Sequence, residues 1–245
     1  MSATAVLQSH QNLPSGAWQH ACTASVRRWA AERGYAYVFM DDGIFDILPA
    51  GYRAKVGDRT PILTDLARLK YAQQLLEKYE VVVWLDADVL IWAPERLGDV
   101  SVADAQFGRE FWVQQDRRGR WRTYRSLHNA FCAFRRGSVV LPFLEQTTRS
   151  IIGRADADHI APQMVGPKLI TALHNIAGFE VNERIGALSP AVVDDLQSGS
   201  GPALQRLLDT EGRRLAGANL CSSLHADRDL TALCAALVER GCISG

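Results

Sequence analysis

Val81-Val82-Val83-Trp84-Leu85 is a near-continuous apolar run that stops at Asp86-Ala87-Asp88. A strand with one wet face alternates apolar and polar residues. A strand apolar at every position is covered on both faces, and that is the situation of a central strand in a parallel sheet. Parallel strands need long crossovers, usually helices, and the preceding chain supplies them. Ala3 to Gln8 reads as a strand. Trp18 to Arg33 reads as a helix with Cys22, Val26, Trp29 and Ala30 on one stripe, and Gly34 closes it. Tyr35 to Met40, aromatic and β-branched, reads as a second strand. Ala50 to Arg59, with two glycines and four charges, reads as an irregular loop. Thr60 then caps a helix with Pro61 at its first position, and Leu66, Leu69, Ala72, Leu76 and Tyr79 recur at helical spacing. Strand, helix, strand, helix, strand is the order of an α/β fold: a mostly parallel, twisted sheet flanked by helices.

Beyond Pro94 the pattern predicts a strand over Gln106 to Val113, a charged loop or hairpin over Asp116 to Arg125, and a short strand over Ala130 to Phe134. Helices are predicted over Pro142 to Ile152 and, after the Gly166-Pro167 break, over Lys168 to Ile176. Phe179 to Glu183 reads as a late strand, Ser189-Pro190 opens a short helix, and Asp229 to Arg240 reads as a terminal one. With no repeat and no long linker, 245 residues at 47% hydrophobic content predict one domain over residues 1–245. The 27 basic and 27 acidic residues cancel, which argues against a nucleic-acid partner, although Arg117, Arg118, Arg120, Arg122 and Arg125 cluster locally. Five widely spaced cysteines with no Cys-x-x-Cys pair predict no zinc framework and a reducing compartment. No apolar stretch reaches membrane length, and Met1 to Leu7 lacks the features of a signal peptide. The expectation is a cytoplasmic protein without a transmembrane segment, with peripheral membrane association left open.

Ligands of open α/β sheets sit beyond the carboxyl ends of the strands, where Asp86 and Asp88 fall. Residues two apart on an extended segment point to the same side, so both carboxylates can meet one hard cation. Mg²⁺ or Mn²⁺ takes oxygen ligands and completes its shell with water and phosphate oxygens. Such a cation neutralises charge on a departing diphosphate. A strand followed by Asp-x-Asp-Val also resembles the first motif of haloacid-dehalogenase-type phosphatases, in which the first Asp is a nucleophile and the second an acid/base. Asp194-Asp195 is the candidate carboxylate pair for that reading. Against it stand the two strand–helix units ahead of Asp86 and the position of Asp194-Asp195 in the first turns of a helix.

Asp65 and Arg68 lie three apart on the helix leading into the apolar strand, so they share a face. Thr64-Asp65-Leu66-Ala67-Arg68 followed by Val-Trp-Leu-Asp86-Ala-Asp88 resembles the sugar transferases with an Asp-x-Asp sugar-binding region: glycosyltransferase family 32, the Och1-like mannosyltransferases, and more distantly the family-8-like enzymes and clostridial glucosylating toxins. Where many relatives carry Gly-Gly-x-Tyr before the strand, this chain has Glu80-Val81-Val82-Val83-Trp84. The resemblance implies a GT-A-type nucleotide-sugar fold, a UDP- or GDP-sugar donor, a Mn²⁺ or Mg²⁺ ion, and retention of anomeric configuration. It implies that Asp65 and Arg68 contact the donor sugar and that Asp86 and Asp88 serve donor and metal. By the same resemblance Asn129, in His128-Asn129-Ala130, is a donor contact. Gln163, Gly166 and Lys168 become contacts around Gly166-Pro167-x-x-x-Thr171, Asn219 a late contact, and His225 a third metal ligand. The acceptor, whether carbohydrate, lipid-linked or protein, is not specified. Trp112, Trp121 and Tyr124, with the nearby arginines, offer a surface for one. A base, were inversion the outcome, would come from Asp41 or Asp42. A degenerate sugar-binding homologue is the non-enzymatic alternative.

Overall fold

A computed structural model describes residues 3–11, 14, 17–161, 163–210, 212–225 and 228–243. The chain begins β1 (Thr4–Ser9), α1 (Gln19–Glu32), β2 (Ala36–Met40), α2 (Ala50–Val56), α3 (Thr60–Leu76) and β3 (Val81–Leu85). It continues with β4 (Val89–Ile91), α4 (Pro94–Leu97), β5 (Ala105–Gln115), β6 (Trp121–Arg135), α5 (Val140–Arg154), α6 (Pro167–Ala177), β7 (Glu180–Asn182) and β8 (Ile185–Ala187). The last elements are α7 (Pro190–Ser198), α8 (Pro202–Thr210), β9 (Gly217–Asn219) and α9 (Thr231–Arg240). The main sheet has the order β2-β1-β3-β6-β5-β7, and β4-β9-β8 form a small second sheet. β1 is parallel to β2 and β3, β6 runs against β3 and β5, and β7 is parallel to β5. All strands of the main sheet except β6 therefore share one direction, as the apolar β3 run requires.

The strands alternate between two apolar layers. Val6, Val83 and Leu85 face one layer, built with Val26 and Trp29 of α1, Val192 and Leu196 of α7, Leu204 of α8 and Leu237 of α9. Ala5, Leu7, Val82 and Trp84 face the other, with Tyr52 and Val56 of α2, Leu66 and Leu69 of α3, Leu144 of α5 and Ile170 of α6. Apolar residues at successive positions of β1 and β3 are thus buried on opposite sides, which removes both faces of the central strands from water.

Three sequence expectations are corrected. Residues 50–56 form α2, not a loop: Gly51 falls in its first turn, Gly57 ends it at φ +65°, and Tyr52 and Val56, four apart, bury one face. The glycines bound the helix instead of breaking it. Thr60 is the first residue of α3 and not its cap, and its carbonyl accepts from Thr64 Oγ1. The strand expected over Ala130 to Phe134 is the end of a 15-residue β6. The predicted hairpin at Asp116 is real, with Asp116 Oδ1 accepting from the amides of Arg118 and Arg120. β6 changes register against β5 midway: Phe107 pairs with Cys132, but Gly108 pairs with His128. The intervening Asn129, Ala130 and Phe131 bulge out of the β5 ladder. A bulge bends a strand and re-aims its side chains, often beside a functional site.

Candidate active site

The end of β3 places Asp86 beside the end of β1 and the bulge of β6. Its amide donates to Ala130 O at 2.9 Å, and Gln8 Nε2 at the end of β1 donates to its carbonyl at 3.1 Å. The chain then turns into β4, so Asp88 faces β9, whose partner register pairs Val89 with Asn219. Asp86 and Asp88 meet through Asn219. Its Nδ2 donates to Asp88 Oδ1 at 2.9 Å and lies 3.5 Å from Asp86 Oδ2. Cys221 N donates to Asn219 Oδ1 at 2.5 Å and fixes which way that amide points. Ser222 N donates to Asp88 Oδ2 at 2.8 Å. Burial, then the neighbouring Asp86 charge, raises the Asp88 carboxyl above its usual range, against the pull of Ser222. Cys221 itself, at φ +54°, is the one described non-glycine residue with left-handed backbone. Such strain gathers where the fold holds a loop for a purpose.

Behind Asp86 lies a buried charged layer. Arg68 Nη1 is 3.2 Å from Asp86 Oδ1 and Arg68 Nη2 is 3.2 Å from Asp65 Oδ1. Trp84 Nε1 donates to Asp86 Oδ1 at 2.6 Å, and the Arg68 guanidinium sits 4.9 Å from the centroid of the Trp84 ring. Asn129, carried out of β6 by the bulge, donates from Nδ2 to Asp65 Oδ1 at 2.7 Å. Asp65 and Arg68 are about 5–6% exposed, so their i,i+3 pair is no surface pair. Desolvation raises the Asp65 carboxyl to about 6 even with Arg68 and Asn129 opposing it. One guanidinium thereby ties the helix carboxylate to the strand-end carboxylate, a buried arrangement that is costly to break by removing one partner.

Gly166 seals this layer. A Cβ there would lie 2.7 Å from Asp65 Oδ2 and 3.3 Å from Asn129 Nδ2, so only glycine lets the Gly166-Pro167 turn approach. Of the predicted contacts, Asp65, Arg68, Asp86, Asp88, Asn129, Gly166 and Asn219 are brought together. Gln163 and Lys168 lie on the exposed surface of the same turn and first helical residues. His225 is buried but turned elsewhere: its Nδ1 is 3.3 Å from Arg228 Nη1, and the charges acting on it are those of Arg228 and Asp194. Among the described residues no group of three or more His, Cys, Asp or Glu is placed to share a metal ion. Asp41 and Asp42 stand exposed after β2, where Asp41 Oδ1 caps a turn by accepting from Gly43 N. Asp194 pairs with Arg228, and Asp195 Oδ2 accepts from the amides of Ala203 and Leu204 at the start of α8, so neither of that pair joins Asp86.

Several participants carried no sequence signal. Gln8 is a lone polar residue at a strand end. Ser222 acts through its backbone. His128 is buried, with Nε2 facing Ile185 O at 3.0 Å. That carbonyl only accepts, so Nε2 carries the proton and Nδ1 is a bare acceptor with no described partner. Burial lowers the His128 pKa. Gly108 makes the room for it, since a Cβ there would lie 2.2 Å from the ring.

The residues present suit a hard cation in one respect: two carboxylate oxygens, Asp86 Oδ2 and Asp88 Oδ1, converge on a single point, filled by the Asn219 amide. Two oxygens leave most of a cation's shell to water and a ligand's phosphate oxygens, the pattern of Mg²⁺ sites that bind substrate diphosphates.

No family model matches the chain, and no curated protein matches it. Among solved structures it is similar to a glycosyltransferase involved in the glycosylation of the major capsid of PBCV-1, with a TM-score of 0.50 at 14% identity, over 97% of this chain and 98% of that one. It also matches A197 from STIV at 10% identity over 69% of this chain and 78% of that one, with a TM-score of 0.28 that carries no weight. At these identities the first likeness concerns the fold: a mixed α/β sheet flanked by helices, shared end to end with a glycosyltransferase.

Proposed function

We propose that this protein is a glycosyltransferase that takes its sugar from a UDP- or GDP-sugar. The observation that carries the reading is the convergence of Asp86 and Asp88 on one point, with Arg68 joining Asp86 to Asp65 behind it. The likeness to a glycosyltransferase fold over nearly the whole chain supports it, as does the resemblance of the Asp65–Arg68 helix and Asp-x-Asp strand to the family-32-type sugar transferases. Asp86 and Asp88 would hold Mn²⁺ or Mg²⁺. When bound, such a cation supplies charge neutralisation to a departing diphosphate. Asp65 and Asn129 orient sugar hydroxyls, the first accepting and the second able to donate and accept. Arg68 holds Asp65 and Asp86 in register, so that the carboxylates are preorganised. We read the reaction as retaining, with the acceptor hydroxyl attacking from the leaving-group side and its proton passing to the leaving phosphate oxygen. Among the described residues no cysteine forms a disulfide, and no described helix is long and apolar enough to cross a membrane. Both features accord with the cytoplasmic location we infer.

Hydrolysis of UDP- and GDP-sugars with Mn²⁺ tests the reading. Wild type is expected to release nucleotide from at least one donor, and Asp88→Ala to lose ~100-fold or more of that activity, the scale of a lost electrostatic group at a reacting diphosphate. Equal rates in the two proteins would reject it. The phosphatase alternative is checked in the same assay with p-nitrophenyl phosphate.

A further inference from the structure

Ahead of the bulge that carries Asn129, β5 and β6 form a long hairpin. Residues paired across an antiparallel ladder share a face, and that face is kept at every second residue. One face of this hairpin therefore carries Gly108 with His128, Glu110 with Ser126, Trp112 with Tyr124, and Gln114 with Arg122. The opposite face holds Phe111 and Val113, both buried in the apolar layer, and Trp121, which packs against it. Of the three aromatic residues that the sequence groups together, only Trp112 and Tyr124 look outward, and Tyr124 is 46% exposed.

The inner end of this face begins at the proposed reaction centre. His128 adjoins Asn129, which holds Asp65. His128 Nε2 donates to Ile185 O at 3.0 Å, and β8, which carries Ile185, pairs with β9 so that Ala187 stands opposite Asn219, two residues before Cys221. Cys221 in turn stands between Asn219, which bridges the two aspartates, and Ser222, which donates to Asp88. The rungs then continue outward about 7 Å apart.

We propose that this outward hairpin face is the acceptor site and that its ligand is a carbohydrate chain. The inference rests on the donor reading for the word acceptor, but its chemistry stands on the hairpin. An aromatic pair gives flat apolar surface for the C–H faces of sugar rings. Glu110 and Ser126 on one flank and Gln114 and Arg122 on the other give acceptors and donors for hydroxyls. Trp112 Nε1 donates to Gln114 Oε1 at 3.2 Å, which fixes the plane of the indole, as a preorganised stacking surface requires. A lipid or an amphipathic helix would call for a continuous apolar stripe, and here polar rungs bracket the aromatic one. A polyanion would call for free arginines. On this face the arginine is Arg122, held with Arg120 by Asp116 at 3.2 and 3.1 Å; Arg125 lies on the opposite face 3.8 Å from Glu183, and Arg117 and Arg118 stand at the hairpin tip, beyond the paired rungs.

A glycan array probed with the labelled full-length protein is the test. Wild type is expected to be retained on a subset of neutral glycans. Trp112→Ala and Tyr124→Ala are each expected to weaken that retention about tenfold or more, a change of the size seen when one anchoring aromatic is removed. Trp112→Phe is expected to recover part of the loss. Tyr124 is exposed, so its variant remains informative even if Trp112→Ala fails to fold. UDP and GDP with Mn²⁺, titrated into wild type by calorimetry, report on the donor site separately. Absent nucleotide binding with Trp112-dependent glycan retention would leave the carbohydrate site standing and remove the transferase reading. Retention on no glycan, or retention equal in wild type and both alanine variants, overturns the inference. So does binding that follows Arg117→Ala and Arg118→Ala and transfers to phosphatidylglycerol vesicles, since the hairpin would then meet an anionic surface.

Discussion

Asp65 occupies a position that water hardly reaches, and its carboxyl is raised to about 6 by that burial. The sign of the resulting pH dependence follows directly. Below about pH 4 the group is protonated in both folded and unfolded chains. Between about 4 and 6 the unfolded chain releases its proton first, so rising pH favours unfolding, and above about 6 the penalty is constant. Urea denaturation of wild type against Asp65→Asn is therefore expected to show the wild-type advantage shrinking by about 2–3 kcal/mol from pH 4 to pH 6. A flat difference would mean that Arg68 fully offsets the desolvation. Asp88 is also raised, by burial and by Asp86. Under the proposed function, these two mutually repelling carboxylates share a cation. Mn²⁺ in the absence of any sugar is thus expected to raise the melting temperature of wild type and not of Asp88→Asn. An equal rise in both would place the ion elsewhere.

At the scale of elements, the site is assembled by approaches that single residues permit. The β6 bulge carries Asn129 out to Asp65, and the Gly166-Pro167 turn closes over both. Gly166 has φ −100°, so its role is room and not backbone freedom. Gly166→Ala is expected to cost about 1–3 kcal/mol of stability through overpacking against Asp65 and Asn129. Donor hydrolysis is expected to fall more than stability explains, because the carboxylate and amide are the atoms displaced. A melting curve and a hydrolysis rate on the same preparation check this, and unchanged hydrolysis would detach the turn from the donor site.

Over the whole molecule, β1 and β3 each send side chains into both apolar layers, so neither layer exists without the other. One cooperative calorimetric transition is expected, with calorimetric and van 't Hoff enthalpies equal. Two resolved transitions would divide the chain into separately folding units and end the single-domain reading of residues 1–245.

The α/β class, the central place of β3 and the position of Asp86 and Asp88 at its carboxyl end were legible in the sequence, because burial on both faces leaves an unbroken apolar run and a strand end is where polar residues return. The Asp65–Arg68 pair was legible as spacing on one helix face. Its depth was not: i,i+3 spacing is the same for an exposed pair and a buried one, and only the packing of α3 under Trp84 and the Gly166 turn separates them. Helix α2 hid behind two glycines whose positions at its ends, rather than their number, decide the conformation. Asn129, Gly166 and Asn219 reach the aspartates they approach across 64 to 133 positions of chain, by a bulge, a turn and the middle strand of the small sheet, none with a local pattern of its own. His225 has the residue type of a metal ligand, yet the fold turns it toward Arg228. The sequence by itself determined which strand is central and which carboxylates stand at its end, since those depend on local burial. The tertiary structure decided which side chains converge there, since convergence is a matter of three-dimensional approach that no sequence spacing encodes.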